Sequence, residues 1–327
     1  MRPVRGRPQP EDPQRRGHQV TAVIAATNLS KWYGNVLGLN DVSLEIESGI
    51  TGLLGPNGAG KSTFMKLITG QLKPNIGGVT VRGRKVWNNP ALFAGIGFCP
   101  EHDVFYEDVT GFEFITGLLR FYGYSASDIK ERAARALDIV DLTKDKDRLI
   151  RGYSRGMRQR VKFAQAIAHD PEIVILDEPL SGLDPLGKRK LIKLIKDFKS
   201  EGRTVLVSSH VLPEIEALTS RIVLIHQGKI LAQGDIPYIR ELIEAHPHMI
   251  SVRSSDPRAL AARFVGDPAI QKMTFGADGR TFVVETHNRD AFFGRLTGAI
   301  LEGGVEVEEI SSPDDNLQAV FEYLVGK

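Results

Sequence analysis

The sequence is poor in cysteine. Its 327 residues contain one, Cys99, which excludes a disulfide within the chain and favours a reducing compartment. Cys99 ends the apolar stretch from Ile96 to Cys99, where a free cysteine usually serves as a small buried hydrophobic residue. Reactive thiols occupy electropositive, accessible surroundings, so no catalytic role is predicted for this one.

Long apolar runs are also missing. No run approaches the ~18 residues of a membrane-spanning helix. The N-terminal residues lack the apolar segment of a secretory signal peptide. We therefore expect a cytoplasmic protein that reaches the inner face of the cell membrane only as a peripheral partner of a membrane protein.

A strong charge of either sign is absent as well. The formal net charge is +2, and residues 1–20 account for +3 of it, because they hold five arginines against Glu11 and Asp12. The rest of the chain is therefore near −1, and no nucleic-acid partner is predicted. Residues 1–19 are rich in Arg, Pro and Gln without apolar periodicity, and are predicted to be a disordered basic tail.

Short apolar strands alternate with helices from Val20 onward. Strands are predicted over 40–46, 79–86 and 173–176, among others, with a mainly helical segment over about 102–168, in which Ser127 is the predicted cap of a helix. This alternation is typical of an α/β fold with a mostly parallel sheet. After a boundary near residue 245, the order βαββαβ plus a last helix over 249–327 predicts a small α+β domain of ferredoxin-like type.

The most informative motif is Gly55 to Thr63, which reads GPNGAGKST. It follows the apolar run from Ile50 to Leu54 and precedes a helical pattern. A glycine-rich turn in this position directs backbone N–H groups at phosphate oxygens, while Lys61 reaches the β and γ phosphates and Ser62 binds Mg²⁺. The sequence therefore predicts a phosphate-binding loop for a nucleoside triphosphate.

A buried strand that ends in two acids supplies the second element of such a site. It reads Ile173-Val174-Ile175-Leu176-Asp177-Glu178. Asp177 is predicted to hold Mg²⁺ through water, and Glu178 is predicted to polarise the attacking water.

Between these elements the chain resembles a known family. Tyr153-Ser154-Arg155-Gly156-Met157 is similar to the LSGGQ-type signature of ATP-binding-cassette (ABC) proteins, in a form seen in exporters of the ABC-2 type. Ser181-Gly182-Leu183-Asp184 resembles the D-loop of this family, and His210 its switch histidine. Lys31-Trp32-Tyr33-Gly34 resembles the segment whose aromatic ring, here Tyr33, stacks on adenine. The resemblance covers about Val20 to Gly234.

This resemblance implies an α/β P-loop NTPase of the ABC type over residues 20–245, with a RecA-like core, a mixed sheet and a helical subdomain. It implies that two ATPase subunits, identical or different, face each other head to tail around two MgATP. It also implies three sets of site residues: those that bind the nucleotide, those that act in catalysis and those that bind Mg²⁺. ATP is bound by Tyr33, Asn57, Gly58, Gly60, Lys61, Ser62 and Thr63 of one subunit and by Ser154 and Gly156 of the other. Catalysis belongs to Glu178, His210 and Lys61, and the Mg²⁺ ligands are Ser62, Glu101 and Asp177.

The sequence departs from the family pattern at three positions. Arg155 and Met157 replace the usual Gly and Gln of the signature, and Glu101 stands where the Q-loop normally has Gln. A carboxylate is itself a good Mg²⁺ ligand, so the departure at Glu101 bears on coupling more than on nucleotide binding.

The function implied by the resemblance is an ATPase subunit that drives a separately encoded ABC-2-type permease of about six membrane spans, for export. A soluble ABC ATPase acting on DNA or ribosomes fits less well, because the chain has neither a long coiled-coil insertion nor a second cassette. A regulatory protein that binds ATP without turnover is the remaining alternative, and the presence of Glu178 and His210 argues against it. The transported substrate is not encoded here, since its contacts belong to the permease.

Overall fold

The computed structural model describes residues 22–236 and 247–312. The predicted tail over 1–19, most of the predicted boundary near residue 245 and the last residues of the predicted C-terminal domain lie outside the described residues.

The first described part alternates strands and helices. In chain order its elements are β1 (Ile24–Tyr33), β2 (Val36–Ile46), β3 (Ile50–Leu54), α1 (Lys61–Ile68), β4 (Ile76–Val81), β5 (Arg84–Lys85), β6 (Ile96–Cys99), α2 (Gly111–Leu119), α3 (Ala126–Ile139), α4 (Arg155–Ile167), β7 (Ile173–Leu176), α5 (Pro185–Ser200), β8 (Thr204–Ser209), α6 (Leu212–Glu216), β9 (Arg221–His226) and β10 (Lys229–Asp235).

The central sheet has six strands in the order β10-β9-β3-β8-β7-β6. Strands β9, β3, β8, β7 and β6 are parallel, and β10 adds an antiparallel edge. Strands β3 and β7 are apolar along most of their length and buried throughout, as expected for parallel strands covered on both faces. Because parallel strands end at one edge, the loops after β3, β6, β7 and β8 all emerge at the same edge.

A smaller antiparallel sheet, in the order β2-β1-β4-β5, lies against one face of the central sheet. Its apolar side chains share one buried cluster with α1 and with Leu53, Ile175 and Leu206 of the central strands. The single strand predicted over 79–86 is wrong. A turn at Arg82 and Gly83, both in the left-handed region with φ of 49° and 73°, divides this segment into β4 and β5.

Helices α2, α3 and α4 pack together over a second buried cluster, which also contains Leu176 and Leu224 of the central sheet. Helix α2 begins with a capping box, in which Thr110 and Glu113 bond to each other's backbone amides. The predicted cap Ser127 is wrong. Ser125 caps α3 by accepting from the amide of Asp128, and Ser127 lies inside the helix.

The second described part has the order βαββαβ. Its elements are β11 (His248–Ser254), α7 (Pro257–Ala262), β12 (Ile270–Phe275), β13 (Thr281–Thr286), α8 (Arg289–Leu301) and β14 (Val307–Ser311). The antiparallel order β12-β13-β11-β14 is that of a ferredoxin-like sheet, as predicted. A third buried cluster consists only of residues from this part, including Val252, Leu260, Phe282 and Phe292.

Within the described residues, no helix has the length and apolarity that crossing a membrane requires.

Candidate nucleotide-binding and catalytic site

The loop after β3 has the backbone of a phosphate cradle. Gly58 and Gly60 adopt φ of 79° and 107°, values that residues with a Cβ atom rarely adopt. A Cβ on Gly60 would lie 2.8 Å from the carbonyl oxygen of Gly38. Helix α1 follows at Lys61, and no side chain caps its N-terminus. Uncapped amides at a helix N-terminus suit phosphate oxygens.

Lys61 is buried beside this loop. Its Nζ donates to the carbonyl oxygens of Gly55 at 2.7 Å and Pro56 at 3.2 Å. It also lies 3.2 Å from Oε1 of Glu178, and only 6% and 5% of these two side chains are exposed. The fold thus brings the predicted phosphate-binding cation and the predicted base, 117 residues apart in sequence, into one ion pair.

The two acids after β7 are held by Ser208. Its hydroxyl donates to Oδ1 of Asp177 at 2.7 Å and accepts from the amide of Glu178 at 2.9 Å. The amide of Asp177 donates to the carbonyl of Cys99 at 2.9 Å. Glu178 itself has a φ of 49°, a conformation that costs energy for a residue with a side chain. The sequence analysis did not identify Ser208, because nothing local shows that β8 places it opposite Asp177.

Glu178 has one satisfied and one unsatisfied oxygen. Oε2 lies 3.0 Å from Nδ1 of His210, whose side chain is 48% exposed. Oε1 is buried and, among the described residues, accepts no hydrogen bond; its contact with Lys61 is an ion pair. A buried carboxylate oxygen without a donor can accept a proton or orient a water molecule. This arrangement fits the predicted chemistry.

Tyr33 lies at the other end of the cradle. Its hydroxyl is 3.3 Å from Oγ1 of Thr63, and 45% of its surface is exposed. A Cβ on Gly38 would lie 2.9 Å from the Tyr33 ring, so this glycine lets the ring approach the backbone. An exposed aromatic face beside the loop can stack on a base. Asn57 is exposed in the loop, and Ser62 is partly buried in the first turn of α1.

The predicted metal ligands come from three strand ends at the same edge of the sheet. Asp177 follows β7 and is 2% exposed, Ser62 follows the loop after β3, and Glu101 follows β6. The Glu101 side chain is exposed, and among the described residues its carboxylate has no hydrogen bond or ion pair. Hydroxyl and carboxylate oxygens are suitable Mg²⁺ ligands, so the donor set fits this ion.

The signature residues are not part of this cluster. Ser154 is the exposed N-cap of α4, where its hydroxyl accepts from the amide of Met157 at 3.3 Å. No hydrogen bond or ion pair joins Ser154 to the phosphate-binding loop in the described part of the chain. A Cβ on Gly156 would be 3.8 Å from Leu183, an ordinary contact, so nothing in the part of the chain that the structure describes requires glycine here.

Burial raises the pKa of the Cys99 thiol to about 12. A thiol with this pKa stays protonated and is a poor nucleophile, which agrees with the structural role predicted from the sequence.

Comparison with known proteins places this chain in a family. The family model described as ABC transporter matches residues 39–181, from β2 through both acids. The bacitracin transport ATP-binding protein BcrA of Enterococcus faecalis is 32% identical over 307 residues, which cover 93% of this chain and 96% of the relative. The chain belongs to the ATP-binding proteins of ABC transporters. Its reaction is ATP hydrolysis.

Two further matches support this assignment of an ABC ATPase. The daunorubicin/doxorubicin resistance ATP-binding protein DrrA of Streptomyces peucetius is 30% identical, covering 94% of both chains. A dimeric bacterial ABC transporter cassette has a TM-score of 0.61 and 26% identity, covering 65% of this chain and 98% of that one. The family and the fold predicted from the sequence are confirmed.

Proposed function

We propose that this ABC ATPase works as one half of a dimer, with a second copy or a related subunit as its partner, and drives a separate ABC-2-type permease for export. The observation that carries the catalytic part is the buried Oε1 of Glu178, which has no hydrogen-bond donor among the described residues and lies 3.2 Å from Lys61.

The chemistry follows from the positions of these side chains. The loop amides and Lys61 bind the β and γ phosphates of ATP, and Tyr33 stacks on the adenine. Glu178 accepts a proton from the attacking water through Oε1, while His210 holds its other oxygen. Ser62, Asp177 and Glu101 would hold Mg²⁺, which neutralises charge on the phosphates when bound.

The placement of Ser154 supports a site shared between two subunits. Its hydroxyl and the N-terminus of α4 are exposed, and a Cβ on Gly156 would make only an ordinary contact with Leu183. Such a surface suits the phosphate of a nucleotide bound to a facing subunit. The solved cassette with a similar fold is a dimer, which agrees with this arrangement.

Export is supported by the relatives that match nearly the whole chain. Both BcrA and DrrA align over at least 93% of it, so the alignments extend beyond the cassette into the C-terminal sheet. One is named for bacitracin transport and the other for daunorubicin and doxorubicin resistance. We propose that this chain shares their two-part layout, with an ATPase cassette over 20–245 and an accessory domain over 249–327. In the cell it would be peripheral, at the inner face of the cell membrane, through its permease.

An apolar cleft provides a surface for that permease. It has a volume of about 540 Å³ and lies between β6 and α2, with Phe93, Phe98 and Leu118 among its lining residues. At its rim Phe121 is 88% exposed. Strand β6 forms its floor and leads directly to Glu101, so a cytoplasmic apolar segment of the permease seated here would contact the strand that precedes the site.

The experiment that tests the catalytic proposal is the variant Glu178→Gln. The amide keeps the shape of the side chain and loses its basicity, so we expect ATP binding without turnover and accumulation of an ATP-bound dimer. Size-exclusion chromatography with ATP and a phosphate-release assay measure both. Glu131→Gln, on the exposed surface of α3, is the matched control and should behave as wild type. Phosphate release near the wild-type rate in Glu178→Gln would contradict the assigned base.

The partner proposal has its own test. We expect the chain to sediment with membranes when the permease is co-expressed and to stay in the supernatant without it. Replacing Phe121 by Ser should weaken this sedimentation without lowering ATP binding, because Phe121 lies outside the nucleotide site. Sedimentation with salt-washed membranes that lack the permease would contradict the proposal.

A further inference from the structure

Helix α4 carries a buried ammonium group that the proposed catalytic mechanism does not use. Lys162 is 2% exposed. Its Nζ donates to the carbonyl oxygen of Glu101 at 2.6 Å and forms an ion pair with Asp103 at 3.0 Å. A lysine is rarely buried to this extent unless its charge is paired. Both partners lie in the loop that follows β6.

Helix α4 is one of the elements that hold this loop in position. Residues 101–110 form neither helix nor strand, and Glu101, His102 and Asp103 are exposed. Arg158 lies four residues before Lys162, on the same face of α4. It forms an ion pair with Glu107 at 2.8 Å and lies 3.8 Å from Asp103. Two cations of one helix face therefore hold the loop at its start and near its middle.

Lys162 also lies at the end of the strand next to the one that carries the catalytic acids. Burial raises the pKa of the Cys99 thiol, and of the nearby charges Lys162 lowers it while Asp177 and Asp103 raise it. The backbone of Cys99 accepts from the amide of Asp177 at 2.9 Å. Lys162 holds the carbonyl two residues beyond Cys99, and Cys99 pairs with Leu176. Its ammonium therefore lies at the carboxyl end of β6, beside the strand that leads to Asp177.

We propose that Lys162 is a positioning residue for the ATPase reaction. It fixes the backbone of Glu101, so that the Glu101 carboxylate is available at the Mg²⁺ site. It also ties this loop to α4, the helix that begins after Ser154. The inference rests on the proposed function, since it assigns Lys162 to the site described there.

The test is a double-mutant cycle between Lys162→Met and Glu101→Ala, in which ATPase activity is measured over a Mg²⁺ titration. Methionine fills the buried space without placing a charge there, and the carboxylate of Asp103 that loses its partner is exposed. Loss of a residue that orients a metal ligand typically weakens metal affinity, so we expect the half-saturating Mg²⁺ concentration to rise about tenfold in Lys162→Met. In the Glu101→Ala background the same substitution should change it by less than about twofold, because coupled positions are not additive. Lys130→Met, at an exposed position of α3, is the matched control.

A second measurement needs no metal. In the chain without Mg²⁺ or nucleotide, hydrogen exchange of the amides in residues 101–107 should accelerate in Lys162→Met and stay unchanged in Lys130→Met. If Lys162→Met does not fold, Asp103→Asn removes the exposed half of the ion pair and should produce a smaller effect of the same sign in both assays.

Equal effects of Lys162→Met with and without Glu101, or unchanged exchange over 101–107, would overturn the proposal. A wild-type chain that does not hydrolyse MgATP would instead refute the proposed function, while the exchange experiment would still decide whether Lys162 positions the loop.

Discussion

Replacing Ser208 by Ala tests whether the acid pair depends on one hydroxyl. Ser208 is fully buried and bonds to both the carboxylate of Asp177 and the amide of Glu178. Leaving a buried polar group unpaired costs ~1–3 kcal/mol, and hydrogen bonds to charged groups are at the upper end of this range. With two groups affected and incomplete additivity, we expect a loss of about 2–4 kcal/mol in the free energy of unfolding.

The same substitution should lower the turnover rate. The hydrogen bond from the amide of Glu178 to the hydroxyl of Ser208 helps to hold Glu178 in its left-handed conformation. Without this bond the carboxylate can leave the position from which it orients water. A displacement of about 1 Å in a reacting group costs up to ~10²-fold, so we expect kcat to fall by ~10–100-fold. KM for ATP should change little, because the phosphate-binding loop is untouched.

Ser209→Ala is the matched control. Ser209 is also buried, and its hydroxyl donates to Glu214 at 2.8 Å and accepts from the amide of Val211 at 3.0 Å, away from the acid pair. Urea unfolding should show that both variants are destabilised, whereas phosphate release should fall only in Ser208→Ala. A destabilised Ser208→Ala variant with wild-type kcat, or equal losses of kcat in both variants, would refute this reasoning.

Three further predictions concern the nucleotide site and the domain division. Ser154→Asp keeps an N-cap for α4 but adds a negative charge where the phosphate of the facing subunit's nucleotide would lie. The variant should therefore bind ATP and fail to dimerise in gel filtration with ATP. An ATP-bound dimer would exclude the shared site. Gly60→Ala should abolish nucleotide binding, because its Cβ would meet a backbone oxygen. Gly58→Ala should only weaken binding, because its Cβ would meet no atom within 4 Å. Calorimetry with ATP would compare the two variants, and equal affinities would contradict the clash. Deleting residues 250–327 should leave MgATP binding intact, because every phosphate-handling residue precedes them, and a truncated chain that is folded by circular dichroism but binds no ATP would contradict this.

The sequence by itself determined the family and much of the fold. The glycine loop between an apolar run and a helix is a local pattern, and so is the apolar strand that ends in Asp177 and Glu178. Such patterns predict the local backbone conformation, because glycine permits the left-handed turn and apolar runs indicate which strands are buried. The βαββαβ order of the C-terminal part could be predicted for the same reason. The predicted roles of the site residues remain predictions.

The tertiary structure decided which distant side chains meet. The register of β7 against β8 pairs Leu176 with Val207, and so places the next residues, Asp177 and Ser208, side by side. No local signal gives this register, since a shift along buried apolar strands leaves the sequence pattern unchanged. The burial of Lys162 likewise depends on α4 packing beneath a loop some sixty residues earlier in the chain. Local sequence specifies what each element can do, and only the packing of elements against one another specifies which charges share a site.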